Sequence, residues 1–203
     1  MAYFVNPGIR PEDEQPEYSD YFKWMNGDFD RIELYDRTQD GGGLIVELQS
    51  GRPLKPDNMP TAIERFDPNR KPTPILDIER FYGQMSVTQV FKDILEELEP
   101  DTHQFFPVEV FQKGEKIADY FFLNVCNRLV TYLPELTYPR NARGFYKPVE
   151  GEPSSLVLST EAIGDHHMWI DKFIGGPFMS NEFVQRVQDA GLTGISSGRF
   201  KQA

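Results

Sequence analysis

Nine prolines, Pro7, Pro11, Pro16, Pro53, Pro56, Pro60, Pro68, Pro72 and Pro74, punctuate the first 80 residues, and they limit the fold more than any other feature. Proline locks φ and has no amide proton, so long helices and interior strands do not run through it. Residues 1–80 are therefore expected to be loop-rich, packing on or extending a better-ordered domain over residues 81–203. Two strand candidates survive the punctuation. Arg31-Ile32-Glu33-Leu34-Tyr35 alternates, and Gly43-Leu44-Ile45-Val46-Glu47-Leu48 follows a triple glycine. The glycines lack the spacing of a phosphate-binding loop and precede a strand instead of following one, which makes them a flexible turn. The acidic run Glu12-Asp13-Glu14 reads as a solvated face or arm.

Beyond residue 80 the apolar pattern becomes periodic. Val87, Val90, Phe91, Ile94, Leu95 and Leu98 form one stripe at helical spacing, so a helix is expected over Val87 to Glu99. Ser86 stands at its N-cap, Gln89 completes a capping box, and Pro100 ends it. Strands are expected over Phe105–Phe111 and Ile117–Val125, joined by a tight turn at Gln112–Lys116. The second is apolar on both faces apart from Asn124, as a central strand would be. Leu156–Leu158 is a further short strand and Asp171–Phe178 a glycine-containing connector. Ser180 caps a second helix, Asn181–Ala190, with Phe183, Val184 and Val187 inward and Gly191 as its stop. Gly194-Ile195-Ser196 starts a last strand. Together these predict an α+β single domain with a mainly antiparallel sheet, two principal helices and a loop-rich N-terminal part.

Charge and composition narrow the function. The 203 residues carry 21 basic and 32 acidic side chains, a formal charge of −11. Such a field repels polyanions and suits a basic protein partner, so direct nucleic-acid binding is not expected. The single cysteine, Cys126, follows an apolar run and reads as a small buried hydrophobe. The first residues lack the basic-then-apolar pattern of a secretory signal, and no apolar run approaches bilayer length. A cytoplasmic protein without membrane attachment is the expectation.

Chemistry concentrates in Ile163-Gly164-Asp165-His166-His167-Met168-Trp169, which holds two of the three histidines. Adjacent histidines diverge on a strand and lie about 100° apart on a helix, and they do not match zinc-ligand spacings. A metal-dependent hydrolase built from Asp165, His166, His167, Asp171 and His103 is the enzymatic alternative. No serine sits in a nucleophile elbow. The simpler reading is structural: Gly164 supplies an unusual backbone angle, Asp165 caps a turn, and a histidine satisfies buried main-chain groups. Asp165, His166 and His167 remain the partner-binding candidates. No catalytic residue, metal ligand or cofactor is assigned.

Three segments in order carry a resemblance. His103-Gln104-Phe105-Phe106-Pro107-Val108-Glu109 follows the leucine-rich helix, and Asp119-Tyr120-Phe121-Phe122-Leu123-Asn124-Val125-Cys126 follows that. The histidine segment is next, with Phe178-Met179-Ser180-Asn181-Glu182-Phe183 and Ala190-Gly191-Leu192-Thr193-Gly194 behind it. Over about residues 80–195 the chain resembles a bacterial immunity-protein family of polymorphic toxin systems, formerly a domain of unknown function and typified by a myxobacterial member. The resemblance implies a non-enzymatic cytosolic antidote used in interbacterial competition. It would bind a cognate toxin domain, block its active site or another essential surface, and need no cofactor. The acidic charge points to a basic, nuclease-like toxin. A toxin-specific secretion adaptor is the other alternative.

Overall fold

The computed structural model describes residues 2–7, 22–38, 40, 50–65, 74–144, 146–151 and 153–203. Two six-stranded sheets and a helical layer account for the architecture. The first sheet orders β2 (Phe22–Trp24), β3 (Ala62–Arg65), β6 (Gln104–Gln112), β7 (Glu115–Asn124), β5 (Gln84–Val87) and β4 (Ile78–Phe81). The second orders β8 (Arg128–Leu129), β10 (Met168–Asp171), β11 (Gly175–Ser180), β1 (Ala2–Pro7), β12 (Ile195–Gln202) and β9 (Val157–Leu158). The single, mainly antiparallel sheet is thereby corrected. Each sheet is mixed, because β3 runs parallel to β6, β8 to β10, and β9 to β12.

Two helices match the expected pair, α1 (Gln89–Leu98) and α3 (Asn181–Asp189), and a four-residue α2 (Thr160–Ile163) is added. α1 starts two residues later than the sequence implies. Ser86 and Val87 are consumed by the ladder to Phe122 and Phe121, so Thr88 takes the N-cap position without a side-chain cap bond. α3 starts as expected, with Ser180 Oγ accepting from the Phe183 amide at 3.1 Å. The β6–β7 hairpin and the central place of β7 also follow the sequence reading.

Three cores divide the interior. The first sheet curls, so rings from its two edge strands meet: Phe22 on β2 lies 4.4 Å from Phe81 on β4. Inside the curl sit Ile32, Leu34, Leu54, Ile63, Phe81, Val110, Tyr120 and Phe122. Ile32 and Leu34 therefore bury as their alternation predicts, yet Arg31–Tyr35 is not a strand. Phe29–Arg31 is a 3-10 turn and Leu34 makes one isolated bridge, to Leu54. The other early strand candidate, Gly43–Leu48, lies outside the described residues.

The second sheet separates the remaining cores by strand alternation. Tyr3, Met168, Ile170, Met179 and Ile195 face α1 and α3 in a core completed by Phe91, Leu95, Phe183 and Val187. Ala2, Phe4, Trp169, Phe178 and Phe200 face the other way, onto Tyr132, Tyr146 and Leu156. The stretch after Asp171 is no mere connector: β10 and β11 form a hairpin there. Glycines hide the strand pattern because a Cβ at Gly176 would press within 3.1 Å of the Trp169 carbonyl. The N-terminal strand β1, short and without alternation, pairs from Ala2↔Phe200 to Pro7↔Ile195, so the chain's two ends share one sheet.

Candidate functional site

The histidine segment lies where the helical layer meets the second sheet. Ser159 caps α2 through the Ala162 amide, and Gly164 ends it at φ +53 and ψ −129. That is the unusual backbone angle foreseen for Gly164. The chain then turns along an exposed ledge, Asp165-His166, before His167 enters β10. Asp165 is exposed, His166 and His167 are partly buried, and Met168 is fully buried.

A residue assigned no role from sequence organises this corner. Glu99, at the C-cap of α1, is 7% exposed and accepts two hydrogen bonds on each oxygen. Asn127 Nδ2 (2.7 Å) and His166 Nδ1 (3.2 Å) donate to Oε1. His103 Nε2 and the Met168 amide, both at 2.9 Å, donate to Oε2. Burial by itself would raise the Glu99 pKa, but the hydrogen bonds from His103, the 167–168 backbone and His166 outweigh it and hold the carboxyl at about 2. His103 Nδ1 in turn accepts from the Cys126 amide at 3.1 Å. Its proton therefore resides on Nε2, and both ring nitrogens are used within the fold. The node joins the end of α1, the start of β6, the exit of β7 and the start of β10, which ties the two sheets together.

The proposed hydrolase cluster is not assembled as a unit. Asp171 is fully buried and accepts from the amides of Thr131, Tyr132, Phe173 and Ile174 and from the Thr131 hydroxyl. His167 Nδ1 lies 2.9 Å from Ser180 Oγ, at the start of α3. No group of three or more His, Cys, Asp or Glu side chains in metal-holding geometry occurs among the described residues. Cys126 is half-buried, and burial pushes its thiol up to about 11, away from nucleophile chemistry.

His166 differs from the other two histidines. Its side chain is 42% exposed, with Nδ1 held by Glu99. Around it the outer surface is acidic. Phe91 packs on Phe183 at 5.1 Å, which sets α1 beside α3. Their exposed sides carry Asp93, Glu97, Glu182 and Asp189, flanked by Glu96, Asp101, Glu161 and Asp165. Only Lys92 and Arg186 on these helices oppose them, and Lys92 lies 4.0 Å from Glu96 while Arg186 is paired to Glu97 and Glu182. No metal-holding group lies in this geometry among the described residues. What it offers is a rigid, charged face with one oriented, half-exposed imidazole.

A family model described as an immunity protein family (Imm11) matches residues 8–202, nearly the whole chain. The chain belongs to the Imm11 immunity family. No curated protein matches it. Membership gives the chain a role in toxin immunity, and the match extends the resemblance read from residues 80–195 across most of the proline-rich N-terminal part. In this Imm11 member no described helix is long and apolar enough to cross a membrane. The role of Glu99 is hidden in the sequence because it depends on two distant segments, around Asn127 and around His166–Met168. The one local signal was its spacing of four residues from His103, across the Pro100 break.

Proposed function

We propose that the chain is an antidote that neutralises its toxin by tight, stoichiometric binding without a chemical step, with the acidic outer side of α1 and α3 and the Asp165-His166-His167 ledge as the contact surface. The observation that carries this reading is the charge of that surface. Eight carboxylates, at residues 93, 96, 97, 101, 161, 165, 182 and 189, stand against two cations on a layer fixed by Phe91 and Phe183. A face like this speeds encounter with a basic domain and repels acidic competitors. A toxin that acts on nucleic acid is basic around its active site, so a nuclease domain is the target this face fits. Covering that site blocks substrate by exclusion. His166 supplies a donor or acceptor at the edge of the contact, oriented in advance by Glu99.

The test is co-expression with the toxin domain encoded beside the chain, scoring survival and co-purification together. Survival with a stable complex is the expected result. Survival without any complex overturns the binding mechanism in favour of enzymatic reversal of the damage, and continued killing overturns the pairing.

A further inference from the structure

On the opposite side of the second sheet the surface changes character. Between the exposed Glu135 and Glu150, the segment from Leu136 to Val149 contains no acidic residue, and it carries Arg140, Arg143 and Lys147. All three are exposed. Several cations elsewhere among the described residues are spent on carboxylates. Arg52, Arg128 and Lys172 converge on Asp40, Lys55 pairs with Glu33, and Lys116 with Glu109 and Asp119. Arg140, Arg143 and Lys147 have no carboxylate within ion-pair distance among the described residues. The segment folds as a strap. Tyr138 bridges Ser155, Arg140 bridges Tyr146, and the Lys147 amide donates to the Pro139 carbonyl at 3.0 Å. Its apolar side chains are also unusually exposed, Tyr138 by 50% and Val149 by 47%.

Beside the strap opens an apolar pocket of about 380 Å³, lined by Phe4, Tyr146, Leu156, Phe173, Ile174, Phe178 and Phe200. Tyr146 belongs to both, with Arg140 bridging it across the strap and Lys147 next to it in the chain. That size takes one large side chain or a small ligand. An apolar hole with a cationic rim is the recognition pattern for an apolar anchor flanked by negative charge. A long polyanion is a poorer match, because the chain's overall field repels it and only three cations face it.

We propose that this pocket and strap form a second docking site, which takes an acidic polypeptide segment by seating one aromatic or large aliphatic side chain in the pocket and its flanking carboxylates on Arg140, Arg143 and Lys147. The site lies across the second sheet from the acidic helices and does not depend on what binds there. The two faces together would let one molecule hold a basic domain on one side and an acidic segment on the other.

The test titrates the isotope-labelled full-length chain with the pentapeptide Ac-Glu-Asp-Phe-Asp-Glu-NH2 and follows backbone amide shifts. Three probes run beside it: the same peptide with Ala in place of Phe, a Lys-flanked Phe peptide, and a short oligothymidylate. Shifts centred on Tyr146, Phe173, Ile174 and Phe200 are expected with the acidic Phe peptide. Affinity should fall by at least about tenfold with the Ala peptide or in the triple variant Arg140→Glu/Arg143→Glu/Lys147→Glu. The three positions are exposed, so the variant keeps the wild-type amide spectrum away from the strap, which the same experiment verifies. No shifts at peptide concentrations of about 5 mM, shifts elsewhere, or equal binding by the triple variant would overturn the proposal. Tighter binding of the oligothymidylate or the Lys-flanked peptide at this face would overturn it too.

Discussion

The two faces of the second sheet are built from alternating residues of the same strands, yet they present opposite surfaces. Met168, Ile170 and Met179 point toward a helical layer whose outside is acidic. Trp169 and Phe178 point toward the core under the strap, where Phe178 lines an apolar pocket. A net charge of −11 therefore does not describe a uniform field. Its carboxylates crowd the helical side, while Arg140, Arg143 and Lys147 are exposed on the strap. The comparison also separates two uses of charge. Glu99 is buried, saturated and structural, whereas Asp101 and Asp165 are exposed.

The largest disruption of the acidic side should come from removing its anchor. Phe183→Ala leaves a cavity against Phe91 and should cost about 3–5 kcal/mol in urea unfolding, with loss of the ordered helical layer. Cutting the node should come next. Glu99→Ala strands the Met168 amide, Asn127 and the His103 ring proton, a loss of about 2–4 kcal/mol in the same assay. The node also predicts a pH dependence. Glu99 is held at about 2 when folded, against an ordinary 4.5, so the unfolded chain takes up the proton first as pH falls. The stabilisation is complete above about pH 4.5 and disappears as pH drops toward 2. Unfolding midpoints measured across that window should converge between wild type and Glu99→Gln at its acid end. A constant gap would show that the Glu99 charge does not matter.

Smaller effects sharpen the contrast between the faces. Reversing Asp93, Glu97, Asp101 and Asp165 to Lys should slow association with a basic toxin domain about tenfold or more at low salt, with stopped-flow rates converging as salt rises. Reversing Arg140, Arg143 and Lys147 should change stability by no more than about 0.5 kcal/mol, as thermal melts would show, and should not slow that association. If the strap variant slowed it as much as the helical one, the division of labour would be wrong.

The sequence was most legible where the signal was local. Ser180, Phe183, Val184, Val187 and Gly191 define α3 within one window of chain, and the turn at residues 112–116 announces its hairpin. Ile32 and Leu34 show a half-success, because alternation reported burial correctly while the segment makes one isolated bridge, Leu34 to Leu54, and no named strand. The pairing of β1 with β12 could not be read, since about 190 residues separate the partners and neither strand alternates cleanly. The same holds for the site. The ledge stood out as a histidine pair, but the feature that orients His166 is a glutamate 67 residues away. The acidic face appeared in the sequence only as a net charge, because its carboxylates come from three separate segments.

Hydrogen–deuterium exchange on the chain with and without its toxin domain tests the central claim most directly. The account predicts protection concentrated in residues 93–101, 165–167 and 181–189, with the strap at 138–149 unchanged. Protection of the strap with the helical layer left unaffected would contradict it.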